Sequence, residues 1–165
     1  MADCLRPSDR DIMELYYRQV DTVYRVCFMM LKNTADAEDV TQNVFVKLIQ
    51  LGKRFESEEH EKAWLIVAAR NECKNLLGHW WRKKRTSIED VNPQQLTAEH
   101  QYDETLEEVI GLPERFRLPV YLYYYEGYST KEISGLLHRK EGTVRSQLHT
   151  GREMLKLRLG GGLDE

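Results

Sequence analysis

The chain has 165 residues, 41% of them hydrophobic and 31% charged, and a mean hydropathy of −0.61. That balance suits a globular protein and excludes a disordered one, and the length accommodates one ordinary domain or two small ones. The formal net charge of −3 counts at first against nucleic-acid binding, because such domains usually carry a basic footprint.

Several further classes are excluded by what is missing. The mostly apolar stretches, such as Trp64 to Ala69, fall far short of the ~20 residues that cross a bilayer, and no signal-peptide core is read at the N-terminus. The expectation is a cytoplasmic protein without direct membrane insertion. Cys4, Cys27 and Cys73 have no CxxC spacing, so they read as buried thiols rather than as disulfide or zinc ligands. His60, His79, His100, His138 and His149 form no metal-binding pair, and there is no GxSxG or phosphate-cradling glycine loop. No enzyme, metal, cofactor or small-molecule substrate is expected.

Resolved along the chain, the charge changes its meaning. From Arg70 to Arg85 six cations face one acid, Glu72, for a local net of +5, and Lys131 to Arg158 carries a net of +4. Between them Ser87 to Glu108 holds seven acids and no Lys or Arg. Basic, acidic, basic is the pattern of two anion-binding surfaces joined by an acidic connector.

Taken in order, the predicted elements are all helical. Ser8, with Asp9 and Asp11 behind it, starts a first helix carrying Ile12, Leu15, Tyr16, Val20, Val23, Cys27, Met30 and Leu31 at helical spacing. Asn33 is expected to end it, and Thr34 to cap a second that stops at Gly52. On that second helix Ala37, Val40, Val44 and Leu48 share one face, and Asp36, Asp39, Asn43, Lys47 and Gln50 the other. Ser57 caps a third helix with Leu65, Ala69, Cys73, Leu76 and Trp80 on its apolar face.

The opposite face of this third helix gathers Arg70, Asn71, Lys74, Asn75, Trp81 and Arg82, followed by Lys83. Cations, amides and an exposed aromatic on one face are what binding a phosphate backbone and stacking on bases require; the bland alternative is a solvated face with one stray Trp. Periodicity fades through residues 87–103, read as a flexible acidic linker. It resumes in a short helix over 104–110 and another that Pro113 opens in its first turn, that Pro119 bends or breaks, and that Gly127 ends. Its tyrosines read as core and groove lining. Ser129 to Glu132 form a capping box for a helix of two to three turns, and His138 to Lys140 turn the chain into a last, basic helix. That arrangement describes a helix-turn-helix, although an ordinary helical hairpin has the same periodicity.

Asp36-Ala37-Glu38-Asp39-Val40 with Gln42 and Phe45, then Trp64-Leu65 and Ala69-Arg70-Asn71, resemble region 2 of bacterial RNA polymerase sigma factors. Leu112-Pro113, Tyr125 to Ser129, Glu132-Ile133 and Glu141 to Ser146 resemble their region 4. Both in order, separated by a short linker over residues 9 to 159, resemble the extracytoplasmic-function (ECF, group IV) class of the sigma-70 family. The resemblance implies an all-α protein of two small domains, a region 2 bundle over 8–86 and a region 4 helix-turn-helix over 104–160, joined by the linker 87–103.

It also implies roles. Asp36, Glu38, Asp39, Gln42 and Asn43 match the surface that binds core polymerase at the β′ clamp helices, with the β subunit a further contact. Arg70, Asn71, Lys74, Asn75, Trp81, Arg82 and Lys83 fall on the surface that recognises and opens the minus-ten promoter element. Thr143, Arg145, Ser146 and Gln147 match the readers of the minus-thirty-five element, with Lys140 and Arg152 nearer phosphates. In the family the linker threads toward the RNA exit path, and its acidity here suits RNA mimicry. An anti-sigma factor, often membrane bound, is the implied regulator.

Departures are visible. The family commonly has Asp and Arg at Asn75 and Gly78, and Gly, an aliphatic and Ser at His138, Arg139 and Lys140. Its Ser-Arg-Leu-x-Arg-Ala-Arg run reads here Ser146-Gln147-Leu148-His149-Thr150-Gly151-Arg152. Two rival classes are a one-component helix-turn-helix regulator and a decoy that binds an anti-sigma factor; the basic face from Arg70 to Arg85 counts against the first, and the altered turn keeps the second open.

Overall fold

A computed structural model describes residues 7–84 and 104–159, in which every regular element is an α-helix, with no strand among the described residues. The expected linker, together with Cys4 and Arg85, lies outside them. The helices form two separate compact bodies, one of α1 (Asp9–Leu31), α2 (Thr34–Leu51) and α3 (Glu58–Lys84), the other of α4 (Glu104–Ile110), α5 (Glu114–Tyr124), α6 (Thr130–Leu137) and α7 (Glu141–Arg158).

In the first body every helix packs on the other two. Ser8 starts α1 through a reciprocal capping box, its hydroxyl accepting from the Asp11 N–H at 3.2 Å while the Asp11 carboxylate accepts from the Ser8 N–H at 3.0 Å. The join to α2 differs by one residue from expectation. Lys32, in the left-handed region at φ 51°, closes α1, and Asn33 caps α2 by accepting from the Asp36 N–H at 3.0 Å, leaving Thr34 as the first helical residue. Asn at this position satisfies an orphan donor as well as Thr or better. Gly52, at φ 60°, stops α2 as its sequence predicts. Ser57 opens α3, its hydroxyl accepting from His60 N–H at 3.1 Å.

The apolar faces meet in a core of Val23, Val26, Cys27 and Met29, Ala37, Val40 and Val44, and Leu65, Ile66, Ala69 and Cys73. Cys27 and Cys73 are free, buried thiols. One polar link crosses the core edge: Glu61, 6% exposed, accepts from Arg18 Nε at 3.0 Å, Arg18 Nη2 at 2.9 Å and Gln19 Nε2 at 2.9 Å. A buried carboxylate survives only when so matched, and the triad ties α1 to α3.

In the second body α5 packs on α4, α6 and α7. Pro113 is the N-cap of α5 rather than its first helical residue, and α5 ends at Tyr124, short of Gly127. Gly127, at φ 74°, instead turns the chain so that Tyr128 N–H donates to the Leu122 carbonyl at 3.1 Å. Pro119 does not break α5. Proline supplies no N–H to the Arg115 carbonyl four residues back; Arg139 Nη1 from the turn before α7 donates to that oxygen at 3.4 Å. The segment from Phe116 to Leu122 is buried throughout, so packing holds the helix across the proline.

Candidate nucleic-acid interface

Three exposed surfaces carry the residues singled out from the sequence, and they lie on different helices. On α2 the 100° advance per residue aligns Asp36, Asp39 and Asn43, with Glu38 and Gln42 beside them. All are exposed except Asp36, which is half-buried. Burial, and then the neighbouring Asp39 charge, push the Asp36 carboxyl above its ordinary range. The exposed face of α2 continues into Val46 and Ile49, 49% and 50% exposed. The sequence reading passed over this pair, though two aliphatics among Lys47, Gln50 and the acids were the signal.

On α3 Asn71, Lys74, Asn75, Trp81 and Arg82 are exposed and Arg70 is half-buried. Lys83 lies on the helix, its side chain outside the described residues. Arg70 Nη1 donates to Asn71 Oδ1 at 3.3 Å and Arg82 Nε to the Gly78 carbonyl at 3.4 Å. Trp81 is 71% exposed, an indole face presented to solvent beside cations. The acid of this segment, Glu72, is drawn aside by Lys47 of α2 at 3.6 Å.

In the second body α6, the turn and α7 make the helix-turn-helix. The α6 start is a complete capping box between Ser129 and Glu132, which lowers the Glu132 carboxyl through the Ser129 backbone N–H and then its hydroxyl. His138 occupies the left-handed region at φ 52°, and Lys140 is the N-cap of α7 without a side-chain hydrogen bond. Other contacts hold the turn: the Ser134 hydroxyl donates to the Arg139 carbonyl, and Arg139 N–H donates to the Ser134 carbonyl at 3.2 Å.

Along α7, Thr143, Arg145 and Ser146 are exposed near the N-terminus, as is Lys140 before it. Arg145 pairs with Glu141 at 2.8 Å, and Thr130 also donates to Glu141 at 3.1 Å. Gln147 is half-buried, its amide oxygen accepting from Arg139 Nη1 at 3.0 Å. Arg152 donates through Nε to the Tyr124 hydroxyl at 2.8 Å. A groove of about 220 Å³ collects Tyr123, Thr130, Arg145, Leu148, His149 and Arg152. Among the described residues no cluster of His, Cys, Asp and Glu could hold a metal ion, and no helix is long and apolar enough to cross a membrane.

Two separate helical bodies with these surfaces invite comparison with known proteins. Residues 15–86 match the model of sigma-70 region 2, and residues 103–155 that of sigma-70 region 4. The chain belongs to the sigma-70 family, in its ECF class. It is 31% identical over 153 residues to the ECF RNA polymerase sigma factor SigE of Mycolicibacterium smegmatis, covering 87% of this chain and 59% of that protein. It is 25% identical over 170 residues to the ECF RNA polymerase sigma factor SigW of Bacillus subtilis, covering 90% and 87%. Among solved structures, the sigma factor RpoE of Bartonella quintana, in complex with the anti-sigma factor NepR, matches with a TM-score of 0.72 at 20% identity over 94% of this chain and 99% of that one. CnrH in complex with the cytosolic domain of CnrY matches with a TM-score of 0.63 at 17% identity, covering 98% and 95%.

Proposed function

We propose that this ECF sigma factor is a dissociable specificity subunit of bacterial RNA polymerase, acting in the cytoplasm with no chemistry of its own. The observation that carries the proposal is the separation of surfaces: an acidic face on α2, a basic aromatic face on α3, and a basic helix-turn-helix in a second body. The α2 face, with Asp36, Glu38, Asp39, Gln42 and Asn43, binds the β′ clamp helices of core polymerase, and Val46 and Ile49 extend it. The α3 face, with Arg70, Asn71, Lys74, Asn75, Trp81, Arg82 and Lys83, takes the minus-ten element, where the exposed indole offers a stacking surface to unpaired bases. The N-terminal half of α7 reads the minus-thirty-five element in the major groove through Thr143, Arg145 and Ser146, with Lys140 and Arg152 toward phosphates. Gln147, tied to Arg139, contributes by shaping that surface.

Each module is small and the chain is net acidic, so free DNA binding is weak and polymerase supplies the scaffold that makes two modest contacts act together. An anti-sigma factor, like the NepR bound to the Bartonella quintana relative, covers these surfaces between bouts of transcription. The test is reconstitution with core polymerase. Promoter-specific transcripts from genomic DNA are expected, and an R145A/R152A variant should lose them; silence of the wild-type chain beside an active control sigma factor would overturn the reading. A decoy that only binds an anti-sigma factor would be indifferent to those two arginines.

A further inference from the structure

The two tyrosines at the end of α5 are not core residues. Tyr123 is 37% and Tyr124 47% exposed, and their rings meet edge to face at 4.9 Å. Tyr124 reaches across to α7, where its hydroxyl accepts from Arg152 Nε at 2.8 Å and its ring lies 5.9 Å from the guanidinium carbon. A guanidinium has five N–H donors in a planar fork, of which this bond uses one. The four on Nη1 and Nη2 have no hydrogen-bond partner among the described residues. The adjacent acid, Glu153, lies 3.7 Å from Lys156 instead.

The identity of the acceptor matters. A carboxylate holding Arg152 would neutralise it, whereas a phenol hydroxyl accepts the Nε–H and leaves the full positive charge in place. The contact also fixes a long side chain that would otherwise lose rotamer freedom on meeting a ligand. Arg145, His149 and Arg152 follow at intervals of four and three, so they share one stripe of α7, and all three line the same 220 Å³ groove.

We propose that Tyr124 is a positioning residue for Arg152, holding it by Nε so that its Nη pair forks onto one backbone phosphate of the promoter duplex. This rests on the reading of α7 as the DNA-facing helix. Tyr124 itself touches no DNA; it sets the direction of the cation that does, as bidentate phosphate recognition by arginine requires.

The test is equilibrium binding of a duplex promoter fragment carrying the upstream element to holoenzyme made from the full chain, across a salt series. Arg152→Ala should weaken binding and reduce the slope against salt by about one. Tyr124→Phe, which removes only the hydroxyl, should weaken binding about threefold to tenfold, flatten the slope in part, and add nothing in the Arg152→Ala background. Wild-type affinity in Tyr124→Phe, or losses that multiply with those of Arg152→Ala, would overturn the proposal while leaving α7 as the reader. A lower melting temperature with an unchanged salt slope would make Tyr124 merely structural. If neither Arg152→Ala nor Arg145→Ala altered binding, the reading of α7 and the proposal would fall together.

Discussion

Gly151 and Val120 meet where α7 crosses α5 with nothing between them: a Cβ on Gly151 would lie 2.7 Å from Val120 Cγ2 and 3.6 Å from Phe116 Cβ. The absent side chain lets α7 approach α5 closely enough for Arg152, one residue on, to reach Tyr124. Gly151→Ala should therefore destabilise the second body by about 1 kcal/mol, overpacking of roughly 1–3 kcal/mol being offset in part by the better helix propensity of alanine. Gly135, mid-helix in α6, has open space at the same test. Gly135→Ala should stabilise by about 0.5–1 kcal/mol. Chemical denaturation of the two variants checks the opposite signs.

The turn before α7 can be strengthened in two independent ways. His138→Gly relieves a left-handed β-carbon, and Lys140→Ser supplies the side-chain cap that α7 lacks. Each should raise stability by about 1 kcal/mol. Their functional effects should diverge, because only Lys140→Ser removes a cation next to the end of α7 proposed to face DNA. Holoenzyme carrying His138→Gly should bind the upstream element as well as wild type, and Lys140→Ser less tightly with a shallower salt dependence.

Helix starts were legible because their signals are local. Ser8, Ser57 and Ser129 accept from an N–H three residues on, a relationship contained in four letters. The α1–α2 join was misplaced by one residue because Asn33 and Thr34 are both good caps, and only the left-handed Lys32 decides between them. Pro119 reads as a bend or a break because the group that rescues the orphaned Arg115 carbonyl, on Arg139, is twenty-four residues away from it. The candidate surfaces divide similarly. Periodicity places Lys74, Asn75 and Arg145 on exposed faces, but the pairing of Gln147 with Arg139 and of Arg152 with Tyr124 depends on tertiary approach. A spacing rule within one helix does not contain it.

Arg117 is a buried cation with unmet donors. It is 6% exposed, and its Nε and Nη1 have no hydrogen-bond partner among the described residues. Burial pushes its pKa down, with Glu114 opposing that shift. Unmet donors in a low-dielectric setting are expensive, and an apolar side chain of similar length keeps the packing of the stem. Arg117→Met should leave stability unchanged or raise it by about 1 kcal/mol. A loss larger than that in urea titration would mean the guanidinium is matched by a group it does not touch in this structure.

The capping carboxylates make stability fall in acid. In the folded chain Glu132 titrates below its ordinary 4.5, held down by the Ser129 N–H and hydroxyl. Above 4.5 both folded and unfolded states are ionised and the cap contributes in full. As pH falls, the unfolded chain takes up the proton first, and the contribution is gone once pH passes below the lowered folded value. Asp11, lowered from 3.8 by the Ser8 hydroxyl and then its N–H, behaves the same way in α1. Asp36 runs opposite: its raised pKa means that the folded state holds the proton more tightly, so acid relieves a small penalty there. Glu132→Gln should flatten the acid limb of the second body's pH–stability curve and leave that of the first unchanged.

Gly78 offers the cleanest gain on α3. It follows Asn71, Lys74 and Asn75 along the exposed row of α3, and a side chain added there meets nothing within 4 Å. Gly78→Arg should stabilise α3 by about 0.5–1 kcal/mol from helix propensity alone. It also adds a cation one turn from Lys74 and Arg82. If α3 faces promoter DNA, holoenzyme carrying the substitution should bind a minus-ten fragment more tightly, with a salt slope steeper by about one. Asn75→Asp, placing an acid in the same row, should do the reverse. A rise in melting temperature with no change in salt slope for either variant would mean that this row does not meet the phosphate backbone.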